Sequence, residues 1–287
     1  MSSLAEQDLP QSHRGFAGGQ STRGQIRYLA SHDERPIIHV PAEGGEELRR
    51  RSARYADHSV AITDLRPLAK ALTLDDDAIV LRQSPTAVAD LYDDQAVERD
   101  YYAEVEALLT AETGAARVVT FDHTRRFEAD PGAAGPAERS AVRSVHNDYT
   151  DRSAPQRVRD LLGEEAEALL TKRFAIANTW RPIRGPVLRA PLGFLHPDSL
   201  APENLIAAEL RYPDRSGEIY EIAYAPQHRW LYVPKMQREE LLVFKCYDSA
   251  RDGRARFLPH TAFDDISTLS GAPPRESIET RSLLFFD

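Results

Sequence analysis

Hydrophobic and polar positions follow two rhythms along this 287-residue chain. Short apolar runs bounded by turn residues dominate at first: Gln25-Ile26-Arg27-Tyr28-Leu29, Pro36-Ile37-Ile38-His39-Val40, Ser59-Val60-Ala61-Ile62-Thr63 and Ala78-Ile79-Val80-Leu81 each read as a strand. Between Asp94 and Thr113 the period changes. Val97, Tyr101, Val105 and Leu108 recur at helical spacing, Asp94 is positioned to cap the start, and Gly114 to end it. A β-branched strand over 116–121 follows, then a loop by composition over 130–136, then a strand over 141–149. Ser153 and Gln156 stand in capping-box spacing ahead of a second helix, with Val158, Leu161, Leu162 and Leu169 on one face.

From Phe174 onward the chain alternates between turns and runs rich in Val, Ile, Tyr, Phe and Trp, over 174–180, 217–224, 229–233, 241–247, 256–263 and 277–286. Many short strands at such spacing predict a sandwich or barrel. The expected class is mainly β with flanking helices (α+β). Without an internal repeat or a clear linker, one domain is expected over 24–287, with a helix-bearing N-terminal portion over 24–135 and a β core over 136–287. Residues 1–23 are polar and Gly/Ser-rich and read as a disordered leader; lacking an apolar stretch, they do not read as a secretory signal.

Composition narrows the function class. No run approaches the ~18 apolar residues of a membrane span. A net charge of −9 argues against nucleic acid, because phosphate affinity comes from Lys and Arg. The Arg49-Arg50-Arg51 cluster, flanked by Glu46-Glu47, reads as a solvated helix face. Cys246 is the only cysteine, so an internal disulfide is impossible, and its apolar neighbours predict a buried, inert thiol. The expected location is cytoplasmic and the expected partner a small molecule; monomer and homodimer both remain open.

The chemistry rests on fragments far apart in the chain: His146-Asn147-Asp148, His260 and Arg275-Glu276-Ser277. On a strand, residues i and i+2 point the same way, so His146 and Asp148 can face one ion. A third ligand from His260, on a distant strand, would complete the two-histidine, one-carboxylate triad that holds iron(II) with open positions. Arg275 and Ser277 share a face in turn, and a guanidinium suits the far carboxylate of 2-oxoglutarate by forked hydrogen bonding. A second His-x-Asp, His196-Pro197-Asp198, is set aside because Pro197 cannot donate to a β ladder and a turn follows. Glu279 and Arg281 continue the Arg275 face, which would also be an ordinary charged surface. Trp180, Arg181, Tyr232, Arg281 and His123 are candidate pocket residues. Tyr149, beside the acid, should point to the opposite face. No nucleophile elbow or Gly-rich phosphate loop occurs.

These residues resemble a known family. Val145-His146-Asn147-Asp148-Tyr149, Asn178-Thr179-Trp180-Arg181-Pro182-Ile183, His228-Arg229-Trp230-Leu231-Tyr232, Phe244-Lys245-Cys246-Tyr247-Asp248-Ser249 and Pro259-His260-Thr261-Ala262-Phe263 are similar to segments of the CmcJ/NvfI-type non-haem iron, 2-oxoglutarate-dependent oxygenases of secondary metabolism. The likeness extends to Tyr101-Tyr102-Ala103-Glu104-Val105-Glu106 and Phe121-Asp122-His123-Thr124-Arg125-Arg126. It implies a double-stranded β-helix (jelly-roll, cupin-like) core, His146, Asp148 and His260 as iron ligands, and Arg275 and Ser277 as the 2-oxoglutarate anchor. Fe(II), 2-oxoglutarate and O₂ would then serve to hydroxylate, desaturate or cyclise a small metabolite. Two competitors stand beside this reading: an iron oxidase that does not use 2-oxoglutarate, and a non-catalytic jelly-roll partner subunit.

Overall fold

The computed structural model describes residues 20–31, 34–42, 48–127 and 140–287. Two sheets face each other. The smaller has five strands in the order β5 (Ile79–Gln83), β13 (Glu240–Asp248), β8 (Phe174–Arg184), β16 (Glu276–Phe285) and β6 (Arg117–Phe127). The larger has eleven, in the order β15 (Asp264–Asp265), β1 (Ser21–Ser31), β4 (Arg54–Asp64), β12 (Trp230–Tyr232), β9 (Leu192–Leu195), β14 (His260–Ala262), β7 (His146–Asn147), β11 (Ser216–Ile222), β10 (Leu205–Arg211), β2 (Ile37–His39) and β3 (Arg50–Arg51). This is the jelly-roll arrangement expected from the sequence resemblance.

Period-2 alternation in the smaller sheet explains both of its faces. Ile176 and Trp180 of β8, Leu242 and Phe244 of β13 and Leu283 of β16 turn toward the larger sheet, where the Phe194 ring lies 5.1 Å from Phe244. Their neighbours Ala175, Ala177, Val243, Ile278 and Leu284 turn outward and are covered by a helical layer. That layer is α1 (Asp94–Ala96), a π turn at Val97–Tyr101, and α2 (Tyr102–Thr113). Its buried residues are Val97, Tyr101, Val105 and Leu109, spaced by four. Such spacing exceeds the 3.6 residues of an α turn. The π turn absorbs part of the excess, which is why Leu109, and not the expected Leu108, completes the stripe. Gly114 ends the helix with φ of 68°, a conformation natural to glycine.

Several local expectations are corrected. Asp93, not Asp94, caps the helix, accepting from the Gln95 and Ala96 amides at 3.0 and 3.2 Å; Asp94 is drawn away to His123 and Arg125 on β6. The start of α3 (Ser153–Leu162) is closed by Thr150 and Ser153, each hydroxyl accepting the other's amide at 3.0 and 2.9 Å, while Gln156 bonds Asp160. The expected strand over 141–149 shrinks to β7. Arg50–Arg51 is a strand, and Arg51 pairs at 3.0 Å with the buried Glu221, so the cluster is not a helix face. The expected leader gives way to β1 at Ser21; residues 1–19, like the loop expected over 130–136, lie outside the described residues. N-terminal strands enter both sheets: β1 and β4 the larger, β5 and β6 the smaller.

Candidate metal centre and co-substrate pocket

Strand pairing brings the distant fragments together. His146 on β7 and His260 on β14 are direct cross-strand partners, with ring centroids 4.7 Å apart. Each ring is oriented the same way, its Nδ1–H donating to the carbonyl two residues earlier: His146 to Ser144 at 2.8 Å, His260 to Leu258 at 3.1 Å. Protonation at Nδ1 leaves both Nε2 lone pairs available. They lie 3.5 and 4.0 Å from Asp148 Oδ1, and the three donor atoms fall within 4.8 Å of one another. A first-row divalent ion bonded at about 2.0–2.2 Å needs cis ligand atoms about 3 Å apart, so the triangle is slightly open and of the right size. Among the described residues, this is the one such group of three or more His, Cys, Asp or Glu. The other His-x-Asp is elsewhere: His196 bonds the buried Asp77 at 3.1 Å at the head of a 3-10 turn.

Asp148 lies just past the end of β7, and its orientation comes from other elements. Its Oδ2 accepts from Asn178 Nδ2 of β8 at 2.8 Å and Arg281 Nε of β16 at 3.2 Å, leaving Oδ1 to face the histidines. The intervening Asn147 fixes the backbone. Its amide donates to the carbonyls of Tyr149 and Cys246 at 2.7 and 2.8 Å, and its oxygen accepts the Leu258 amide at 3.2 Å. Burial by itself would raise the Asp148 carboxyl, but the Arg281 charge and the His146 contact outweigh it and hold it well below the usual range. Glu279, bonded to Arg281 at 2.6 Å and to Asn178 at 3.2 Å, is pushed up by burial. The Cys246 thiol, 4.0 Å from Asp148 Oδ2, is raised by burial and then by that carboxylate, so it stays protonated, in line with the inert thiol expected.

Burial also pushes His260 and His228 down to about 4, from 6.5. A depressed histidine pKa means that the unfolded chain binds the proton more readily. The metal-free protein should therefore keep this contribution in full above pH 6.5 and lose stability steadily as pH falls toward 4. Urea midpoints of the metal-free protein across that range measure the slope; a flat profile would refute it.

A narrow pocket beside the donor atoms is lined by Trp180, Leu192, Arg126, Arg275 and Glu279. Arg275 is 3% exposed, donates to the Ala190 carbonyl at 2.7 Å and lies 5.7 Å over the Trp180 ring. Ser277 Oγ is buried and makes no hydrogen bond within the described protein. A buried hydroxyl without a partner costs stability unless a ligand satisfies it. The donor set fits an iron(II) ion, and the buried Arg275 guanidinium of the pocket wall, with the orphaned Ser277 hydroxyl two residues further along the chain, fits a carboxylate.

Of the candidate pocket residues, Trp180 and Arg281 line this space, and three do not. Arg181 follows Trp180 on β8 and so turns to the helical layer, donating to Tyr101 OH at 2.8 Å. His123 bonds Tyr102 OH at 2.9 Å and Asp94, while its neighbours Asp122 and Thr124 face the cavity. Tyr232 packs edge-on against Phe263 in an apolar cluster. Asn178, Arg126 and the central part played by Glu279 were not foreseen. Arg126 is the cross-strand partner of Ser277, a register the sequence does not disclose. Tyr149 is buried and borders the larger outer cavity described below.

Comparison with known proteins identifies the family. Residues 26–285 match a family described as Oxidoreductase/YMDC permease-like domain. No helix of the described residues is long and apolar enough to cross a membrane. The chain is 34% identical to the Fe(II)/2-oxoglutarate-dependent dioxygenase nvfI of Aspergillus novofumigatus, over 80% of this chain and 84% of that one. It is 31% identical to the hydroxylase/desaturase efuI of Hormonema carpetanum, over 82% and 85%. The solved structure of the iron and alpha-ketoglutarate-dependent endoperoxidase NvfI superposes with a TM-score of 0.81 at 26% identity, covering 93% of this chain and 98% of that one. The chain belongs to this family of jelly-roll oxidoreductases, the Fe(II)/2-oxoglutarate-dependent dioxygenases and hydroxylase/desaturases.

Proposed function

We propose that this protein is an Fe(II)/2-oxoglutarate-dependent dioxygenase of secondary metabolism that oxidises a small metabolite, with His146, Asp148 and His260 as iron ligands and Arg275 and Ser277 as the co-substrate anchor. The observation that carries it is the convergence of two Nε2 atoms and Asp148 Oδ1 on a pocket whose wall includes the buried Arg275. When bound, iron(II) with 2-oxoglutarate supplies the activation of O₂ and the oxidising power, for hydroxylation, desaturation or ring closure.

The chain's own residues position and exclude. Asn178 and Arg281 hold Asp148 Oδ2, so the acid would offer an iron(II) ion a single oxygen beside the two histidine nitrogens. Arg275, braced by the Ala190 carbonyl and the Trp180 face, would offer its Nε–H to a carboxylate, and Ser277 Oγ would add a donor. Buried Trp180 and Leu192 keep bulk water from the pocket. The Arg275–Ser277 pair favours 2-oxoglutarate over an oxidase scheme without it. The reading takes 24–287 as one unit, because both sheets draw strands from each half of the sequence, and places the enzyme in the cytoplasm.

Arg275→Ala tests the anchor. Loss of a charge-assisted pair costs ~1.5–3 kcal/mol, which is about 10–150-fold in the 2-oxoglutarate dissociation constant. Titration of the Zn(II)-loaded protein with 2-oxoglutarate should show that loss while Zn(II) affinity is kept. Unchanged 2-oxoglutarate affinity would refute the assignment.

A further inference from the structure

The donor atoms sit where the narrow pocket meets a second cavity of ≈ 700 Å³, a volume suited to a drug-sized ligand. His146, Asp148, Arg126 and Arg281 border both spaces. The charge of the larger one runs against that of the chain. The protein carries −9 overall, yet seven arginines and five acids line this cavity.

The acids are already engaged. Asp122 and Asp148 pair with Arg281 at 3.1 and 3.2 Å. Glu218 pairs with Arg35 and Arg152, Glu209 with Arg211 at 3.0 Å, and Asp160 accepts from Gln156 at 2.7 Å. Two arginines of the wall have no carboxylate among the described residues. Arg157, partly buried on α3, lies with its guanidinium carbon 5.9 Å over the Phe121 ring; Arg215 lies 4.0 Å over Tyr212. Stacking on an aromatic face holds a guanidinium in place while its N–H edge stays available to a forked acceptor. Arg157 is the deeper of the two, since its charge is felt at Tyr149, next to Asp148.

We propose that the outer cavity takes a substrate bearing a carboxylate, bound by Arg157 with Arg215 assisting, so that the remainder of the molecule extends toward the His146–Asp148–His260 centre. The inference rests on the oxygenase reading for which end of the substrate reacts, but the anion site stands on the cavity alone. Arg157 is then a specificity residue. It discriminates an acid from its amide or ester, because only the acid supplies the counter-charge that this wall lacks.

The test uses the full chain loaded with Zn(II) and N-oxalylglycine, which fill the inner site without turnover. Matched pairs are then titrated calorimetrically: decanoate and decanamide, naphthylacetate and naphthylacetamide. The acids should bind about 10-fold or more tightly than their amides, a difference of ~1.4 kcal/mol. Arg157→Met should erase that preference and leave amide binding unchanged, and Arg157→Lys should keep part of it. Should Arg157→Met fail to fold, Arg157→Gln takes its place. Acids that bind no better than amides, or not at all, would overturn the proposal, as would a preference that survives the substitution. Zn(II) and N-oxalylglycine binding are measured first. Their failure alongside an intact, Arg157-dependent acid preference would remove the oxygenase reading and leave the anion site.

Discussion

His146→Ala is expected to abolish stoichiometric iron(II) binding and, with it, all succinate release from 2-oxoglutarate. The effect should be the largest of any single substitution at the centre. Removing an outer partner of a metal ligand costs about 10–100-fold in affinity or activity; on the proposed reading this substitution takes away one of three protein bonds to the ion. Nor can a neighbour substitute for it. Asp148 Oδ2 is held by Asn178 and Arg281, Glu279 is held by Arg281, and the Cys246 thiol is kept protonated. Stability should change little by comparison, because His146 gives up one hydrogen bond to the Ser144 carbonyl, worth ~1 kcal/mol. The check pairs metal content of the purified variant with its urea midpoint. Stoichiometric iron(II) binding or turnover retained by the folded variant would sink the assignment.

The sequence disclosed the donor types and their order but not the pairing that unites them. His-x-Asp was legible as a motif, and the turn chemistry at Pro197 separated it from its second copy; the buried His196–Asp77 pair agrees. The alternation argument placed His146 and Asp148 on one face, and the structure brings their side chains to 3.5 Å although the strand is only two residues long and stops before Asp148. What aims Asp148 is a pair of donors from β8 and β16, 30 and 133 residues away. Periodicity also fails to say which face of a strand is the interior. Ser277, Glu279 and Arg281 were correctly grouped on one face. Read alone, two charges at that spacing look solvated, but β16 lies between β8 and β6, and the face is buried. The same limit misplaced His123, Arg181 and Tyr232. Arg181 directly follows Trp180, so on a regular strand the two could not both reach the pocket.

Replacing Arg281 with methionine is expected to destabilise the metal-free protein by ~3–5 kcal/mol, the cost of breaking a buried ion pair from one side. Three carboxylates depend on this guanidinium: Glu279 at 2.6 Å, Asp122 at 3.1 Å and Asp148 at 3.2 Å. Two of them, Glu279 and Asp148, also face each other's charge. Methionine supplies the volume without the charge, so the loss should be electrostatic and carry a pH signature. In the parent protein Arg281 helps to hold the Asp148 carboxyl down, which contributes stability above the unfolded carboxylate pKa and is lost only at strongly acid pH. Without it, burial raises the Asp148 carboxyl and raises Glu279 further than it already stands. A raised carboxyl pKa favours the folded state at low pH and penalises it as pH climbs. The deficit should therefore be largest near pH 8 and shrink toward about pH 5, above the unfolded carboxylate range of ~4. Zn(II) should stabilise the variant more than the parent, because the ion restores the positive charge that the two acids have lost. Paired urea titrations at both pH values, with and without Zn(II), measure all of this; a deficit under ~1 kcal/mol, in the range of an exposed pair, or one that ignores both pH and metal, would show that Arg281 does not neutralise the centre.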